Sequence, residues 1–152
     1  EFGARIMSLQ EPTKKMSKSD DDQNAFILLL DDADTIKRKI KRAVTDSEGI
    51  VRYSDEQPGV KNLMTIYSKL SGESIEWIQN KYEGKGYGDF KSDLAEVVSE
   101  GLRPIREKAE YLLKNKDQLE EIYTRGAEKA ERVARKTLRK VYKKVGFIER
   151  KY

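Results

Sequence analysis

From Asp32 to Val145 the apolar residues recur at three- and four-residue steps, the pattern of helices that each offer one apolar face. Ala33, Ile36, Ile40, Ala43 and Val44 fall within roughly 100° of a helical wheel, with Lys37, Arg38, Lys39, Lys41 and Arg42 on the remainder. Asp32 or Asp34 can cap this first helix, and the polar "TDSEG" ends it. "VRYSDEQPG" reads as an extended segment with a Pro-Gly turn. A second helix is then expected over residues 60–70, and a third from a Ser74 cap to Tyr82. A fourth begins near Gly88 and runs toward Leu112, kinked or divided by Pro104. Asp117 with Glu120 makes a capping pair for the last helical region, which reaches Val145 with Gly146 as terminator and Gly126 as a place for a break.

The front of the chain lacks this period. "ARIMSL" is short and apolar, a buried strand or the end of one, and "AFILLL" is either a buried strand or a connector pressed into a core. The expected fold class is therefore mainly all-α, a helical bundle preceded by a short non-helical segment.

Composition narrows the chemistry. Hydrophobic residues make up 37% and charged residues 38%, which suits amphipathic helices with heavily charged outer faces. Cysteine and histidine are both absent, which rules out Cys/His zinc sites and Ser-His-Asp catalysis within these residues and suits a reducing cytoplasm. No apolar run approaches about 18 residues, so no membrane-spanning helix and no membrane partner are expected. Nor is a secretory signal visible. The sequence opens on Glu1 in mid-phrase and reads as a piece of a longer protein; Glu1-Phe2 reads as a cloning scar.

The net charge of +4 is unevenly spread. From Arg125 to Tyr152 there are 11 Lys+Arg against 3 Asp+Glu, whereas the preceding residues hold 20 against 24. On the last helix Arg125, Lys129, Arg132, Lys136, Arg139, Lys140 and Lys143 share an arc of roughly 100°, opposite Ala127, Ala130, Ala134, Leu138, Val141 and Val145. One face is expected to pack while the other forms a ladder of cations, suited to a polyanion or simply to water. A membrane surface fits less well, because the apolar side is small and rich in alanine. The glycines at 84, 86 and 88 follow a helical pattern and read as terminator and turn, not as a phosphate loop. Asp20, Asp21 and Asp22 lack the alternation of a calcium loop and read as solvated, with one of them free to steady the neighbouring lysines. Trp77, Tyr82, Tyr87 and Phe90 read as core.

One segment has no face to bury. "TKKMSKSDDDQN" crowds lysines and serines around Met16 and then turns acidic, as a loop kept for chemistry would. Its core, Lys15-Met16-Ser17-Lys18-Ser19, is the "KMSKS" signature of class I aminoacyl-tRNA synthetases. Around it, "GARIMSLQEPTKKMSKSD", "AVTDSEG", "YEGKGYGDFKSDLAEVV" and "GAEKAERVARKTLRKV" resemble, in order, the C-terminal part of bacterial tryptophanyl-tRNA synthetases. The resemblance extends from Gly3 to Phe147.

The resemblance implies ATP-dependent activation of tryptophan and its transfer to tRNA-Trp by the whole enzyme, a cytoplasmic homodimer. Residues 1–24 would be the remnant of a Rossmann-like catalytic domain, and residues 25–152 the helical anticodon-binding domain. Lys15 and Lys18 become the catalytic, phosphate-binding lysines, with Ser17 and Ser19 as added donors, Met16 beside the adenosine and the main chain of Ile6 against adenine. Magnesium would accompany the ATP; no metal ligand is expected from this chain. The basic helix becomes a tRNA surface through Arg125, Lys129, Arg132, Lys136, Arg139 and Lys143. The histidine-containing half of the ATP site is missing, so this piece alone is expected to be inactive, with a mobile loop and nothing bound. A tyrosyl-type synthetase and a non-catalytic helical RNA-binding or adaptor module are the alternatives.

Overall fold

The computed structural model describes residues 3–148. Glu1 and Phe2, read above as a cloning scar, lie outside the described residues, as do the last four residues of the basic end. Among the described residues five helices follow one another: α1 (Ala33–Arg42), α2 (Pro58–Ser71), α3 (Ile75–Lys81), α4 (Tyr87–Lys114) and α5 (Lys116–Val145). Among the described residues the only strand-like pairing is a single antiparallel bridge between Met7 and Lys15. The helical class is thus as the periodicity indicates. The chain divides into two compact units, Glu1–Glu107 and Lys108–Tyr152.

In the first unit α1 starts where Asp32 accepts a hydrogen bond from the Thr35 amide at 2.7 Å, relieving one of the donors left open at a helix start. It stops earlier than its apolar pattern suggests, with Ala43 already extended at ψ 137°. Lys91 on α4 holds the chain after that stop, its ammonium donating to the Ala43 carbonyl at 2.8 Å and to the Thr45 hydroxyl at 3.0 Å. Val44 leaves the helix to donate its amide to the Leu9 carbonyl at 2.7 Å. Its side chain is exposed, not on a packed face.

Pro58-Gly59, read as a turn, instead opens α2. Proline at the first helical position gives up a donor that would lack a partner anyway. Gly59 allows close approach: a Cβ there would stand 2.2 Å from the Val44 carbonyl oxygen. α3 begins as its sequence says, with the Ser74 hydroxyl accepting from the Trp77 amide at 3.1 Å. Trp77 itself is 42% exposed, against the expectation of core, whereas Tyr82 and Phe90 are buried and Tyr87 is partly covered. Gly84, at φ +72°, closes the α3 turn as expected, but Gly88 lies inside α4.

The core joins Ile36 and Ile40 of α1, Val60, Leu63, Met64 and Tyr67 of α2, Ile78 of α3, and Phe90, Leu94 and Val98 of α4. Tyr67, Tyr82 and Phe90 meet with ring centroids 5.1 to 6.3 Å apart. Below them Asp93 accepts from the Tyr82 hydroxyl at 2.6 Å and pairs with Lys81 at 2.9 Å. "AFILLL" proves to be a connector. Ala25 and Phe26 are buried while Leu28, Leu29 and Leu30 are exposed. Lys39, placed by the wheel on the solvent side, is instead buried and holds the connector through Asp31 at 2.6 Å and the Phe26 ring at 5.1 Å.

α4 passes through Pro104 undivided. The flanking residues are exposed, so water can take the carbonyl that the proline leaves unpaired. In the second unit the residue before α5 is Asn115, and Asp117 is a first-turn acid without capping. The Asn115 amide nitrogen donates backward to the Tyr111 carbonyl at 2.7 Å, finishing α4 and not starting α5. α5 continues unbroken through Gly126 and ends at Gly146, φ +76°, as read from sequence. No described helix is long and apolar enough to cross a membrane.

Candidate functional site

Within the first unit the lysine loop rises from a paired base. Ser8 donates its amide to the Lys14 carbonyl at 2.8 Å, and Met16 donates to the Ile6 carbonyl at 3.0 Å. These two bonds flank the Met7–Lys15 bridge. The side chains of Ile6 and Met16 lean, half-buried, on the hydrophobic core. Beyond the base the chain turns tightly: the Ser19 amide donates to the Ser17 hydroxyl at 3.3 Å, the two hydroxyls are 3.0 Å apart, and Asp20 donates back to the Ser17 carbonyl at 3.3 Å. Lys18 lies in this turn. The structure thus brings Ile6, Lys15, Met16, Ser17, Lys18 and Ser19 together in one small feature.

Charge is distributed selectively within it. Lys14 is tied to Glu11 at 2.7 Å, and that hydrogen-bonded partner raises its pKa above the usual lysine value. Lys15 and Lys18 are exposed and have no ion-pair partner among the described residues. The aspartates that follow are used locally, Asp20 accepting from the Asp22 amide at 3.0 Å and Asp22 from the Asn24 amide at 2.8 Å. No group of three or more acidic, histidine or cysteine side chains suited to a metal occurs among the described residues. Two free ammonium groups, one at the base and one in a turn of hydroxyls and amides, fit a polyphosphate.

Sequence reading passed over Asn62. It sits on α2 beside Leu63 and one turn before Ile66, and it is 5% exposed. Its amide embraces Met7, accepting from the Met7 N–H at 2.9 Å and donating to the Met7 carbonyl at 2.8 Å. A polar residue on the apolar stripe of a helix was the available signal. The "AVTDSEG" segment is fixed in a comparable way, since Asp46 accepts from the Tyr87 hydroxyl at 2.6 Å and from the Glu48 amide at 2.8 Å. Burial raises the Asp46 pKa, but those two donors together with its own amide and the Gln57 carboxamide outweigh it and the net shift is downward.

On α5 no side chain is buried, so the face expected to pack is open: Leu138, Val141 and Val145 are 42 to 57% exposed. Of the ladder, Arg125 lies 3.6 Å from Glu121. Lys129, Arg132, Lys136 and Lys143 have no ion-pair partner among the described residues. Arg135, off the ladder, is bound to Glu131 at 2.7 Å.

A family model described as tRNA synthetases class I (W and Y) matches residues 2–103. The chain belongs to this family. Within it, the chain is 55% identical over 148 residues to a tryptophan–tRNA ligase of Clostridium perfringens, covering 97% of this chain and 45% of that protein. It is 57% identical over 150 residues to one of Bacillus anthracis, covering 98% and 45%. The crystal structure of tryptophanyl-tRNA synthetase from Mycoplasma pneumoniae superposes with a TM-score of 0.79 at 34% identity, over 95% of this chain and 46% of that one. The Campylobacter jejuni synthetase complexed with ADP and tryptophan gives 0.72 at 32%, over 95% and 44%. The chain therefore spans less than half the length of these synthetases, and the tryptophanyl relatives favour that branch of the family over the tyrosyl one.

Proposed function

We propose that this chain is the part of a tryptophan–tRNA ligase that supplies the phosphate-binding loop and a tRNA-binding surface. The observation carrying this reading is Lys15 at the bridged base and Lys18 in the turn beyond it, neither in an ion pair among the described residues, in a chain this close to tryptophan ligases. In the whole enzyme the tryptophan carboxylate attacks the α-phosphorus of ATP, one P–O bond forms, and the bond to the departing pyrophosphate breaks. Negative charge accumulates on the leaving oxygens, and ammonium groups aimed there stabilise the transition state more than the ground state. Lysine suits the task as a compact charge on a flexible stem that can follow a moving phosphate. Ser17 and Ser19 add donors, Met16 and the main chain of Ile6 flank the adenosine, and the nucleotide arrives with its magnesium. Residues 25–152 act as the anticodon-binding domain, with Arg125, Lys129, Arg132, Lys136, Arg139 and Lys143 meeting tRNA-Trp. The working enzyme is a cytoplasmic homodimer, as its resemblance implies, and residues 1–152 alone do not activate tryptophan.

The test is tryptophan-dependent ATP–pyrophosphate exchange by the full-length enzyme. Lys15→Ala and Lys18→Ala are each expected to lower the rate about a hundredfold, the scale of losing one aimed donor. Tryptophan affinity is expected to stay unchanged. Exchange at the parent rate in both variants would remove the assigned lysine roles.

A further inference from the structure

We propose that Asn62 is a positioning residue for the lysine loop, transmitting the fixed frame of α2 to Lys15 and Lys18. The inference rests on the ligase reading above and adds a residue to it. Its basis is the hydrogen-bond pattern of an antiparallel pair. The bonds Ser8 N–H to Lys14 carbonyl and Met16 N–H to Ile6 carbonyl make Met7 and Lys15 a directly opposed pair that exchanges no bonds of its own. The Met7 amide and carbonyl consequently point away from the loop. In a sheet the next strand would take both. Among the described residues no strand lies there, and Asn62 takes both with one carboxamide, at 2.9 and 2.8 Å.

Residues 6–8 therefore behave as a middle strand, with the loop base on one edge and a side chain of α2 on the other. α2 is the most deeply buried helix of the unit, with Leu63 and Met64 next to Asn62 at 1% and 0% exposure. The path from that frame to Lys15 is short, passing through two hydrogen bonds to Met7 and across one bridge. Lys18 follows three residues later. A group that must meet a phosphate in the transition state loses effect when its base shifts by a fraction of an ångström. Removing the Asn62 carboxamide strands a half-buried N–H and C=O and frees the middle segment to shift.

A purely structural role would also lower activity, so the test is a double-mutant cycle in the full-length enzyme, read by pyrophosphate exchange. Asn62→Ala is expected to lower kcat about tenfold with the KM for tryptophan unchanged. In a background carrying both Lys15→Ala and Lys18→Ala the same substitution is expected to cost less than about twofold, because both groups that it positions are already gone. Equal factors in the two backgrounds, or no loss in the first, would overturn the proposal. Should Asn62→Ala fail to fold, Asn62→Asp carries the same cycle, since it keeps an acceptor for the Met7 N–H and lacks the donor to the carbonyl. If Lys18→Ala alone leaves exchange intact, the ligase assignment of the loop falls first, an outcome distinct from additivity at Asn62.

Discussion

Lys39 and Lys18 carry the same ammonium group in opposite settings. The Lys39 side chain is 4% exposed and lies 2.6 Å from Asp31, so removing either partner leaves a buried charge, at a cost of about 3 to 5 kcal/mol. Lys18 is left in water without a partner, available to a ligand. Asp93 is intermediate. Hydrogen bonds from Tyr82 and then Lys81 hold its carboxyl below the usual value of 3.8, while Tyr82, partly desolvated and bonded to that carboxylate, is pushed well above the ordinary tyrosine range. A carboxyl with a lowered folded pKa contributes stability that is complete above its unfolded value and vanishes as pH falls through the folded one. Asp93→Asn is therefore expected to melt at a lower temperature than the parent chain at neutral pH, with the gap closing as pH falls from about 4 toward 2. Melting curves followed by circular dichroism across that range measure it. A gap that does not change with pH would mean that shape, and not charge, is what Asp93 contributes.

At the level of elements, two glycines inside helices make opposite demands. Gly126 has nothing within 4 Å of where a Cβ would sit, and it lies in the exposed interior of α5. Gly126→Ala is expected to stabilise that helix by about 1 kcal/mol, seen as slower amide exchange across α5. Gly59→Ala, driven against the Val44 carbonyl, is expected to destabilise the first unit by about 1 to 3 kcal/mol in urea unfolding. Identical small effects at both positions would refute the packing argument. The same contrast shows what was legible in the sequence. Helix ends set by a neighbouring side chain or by a left-handed glycine were readable at Ser74 and Gly146, and at α1 down to two candidates, of which Asp32 is the cap. Features set by a distant contact were not. Pro58-Gly59 looks like a turn unless the Val44 carbonyl is known, α1 overruns unless Lys91 is known, and "AFILLL" stays open between strand and connector because the presence or absence of a partner strand is invisible locally. The loop lysines could be named from five residues, whereas Asn62 depends on a contact spanning 55 positions.

For the whole molecule the consequential property is where its charge lies, because 11 cations against 3 acids fall in the final stretch from Arg125. A polyanion held along such a stretch displaces counterions, so affinity falls linearly with salt on logarithmic axes, with a slope set by the number of phosphates neutralised. The ladder on α5 suits this better than the count alone suggests, because Lys129, Arg132 and Lys136 are not consumed by acids of their own helix, whereas Arg135 is bound to Glu131. Binding of tRNA-Trp by the 152-residue chain, measured across a salt series, is therefore expected to weaken steeply. Replacing Lys129, Arg132 or Lys136 by alanine should lower the slope by about one each, and Arg135→Ala should change it far less. The distinction matters because a merely solubilising surface would treat all four positions alike. Binding that ignores salt, or four equal effects, would assign the ladder to solvent and remove it from the proposed tRNA surface.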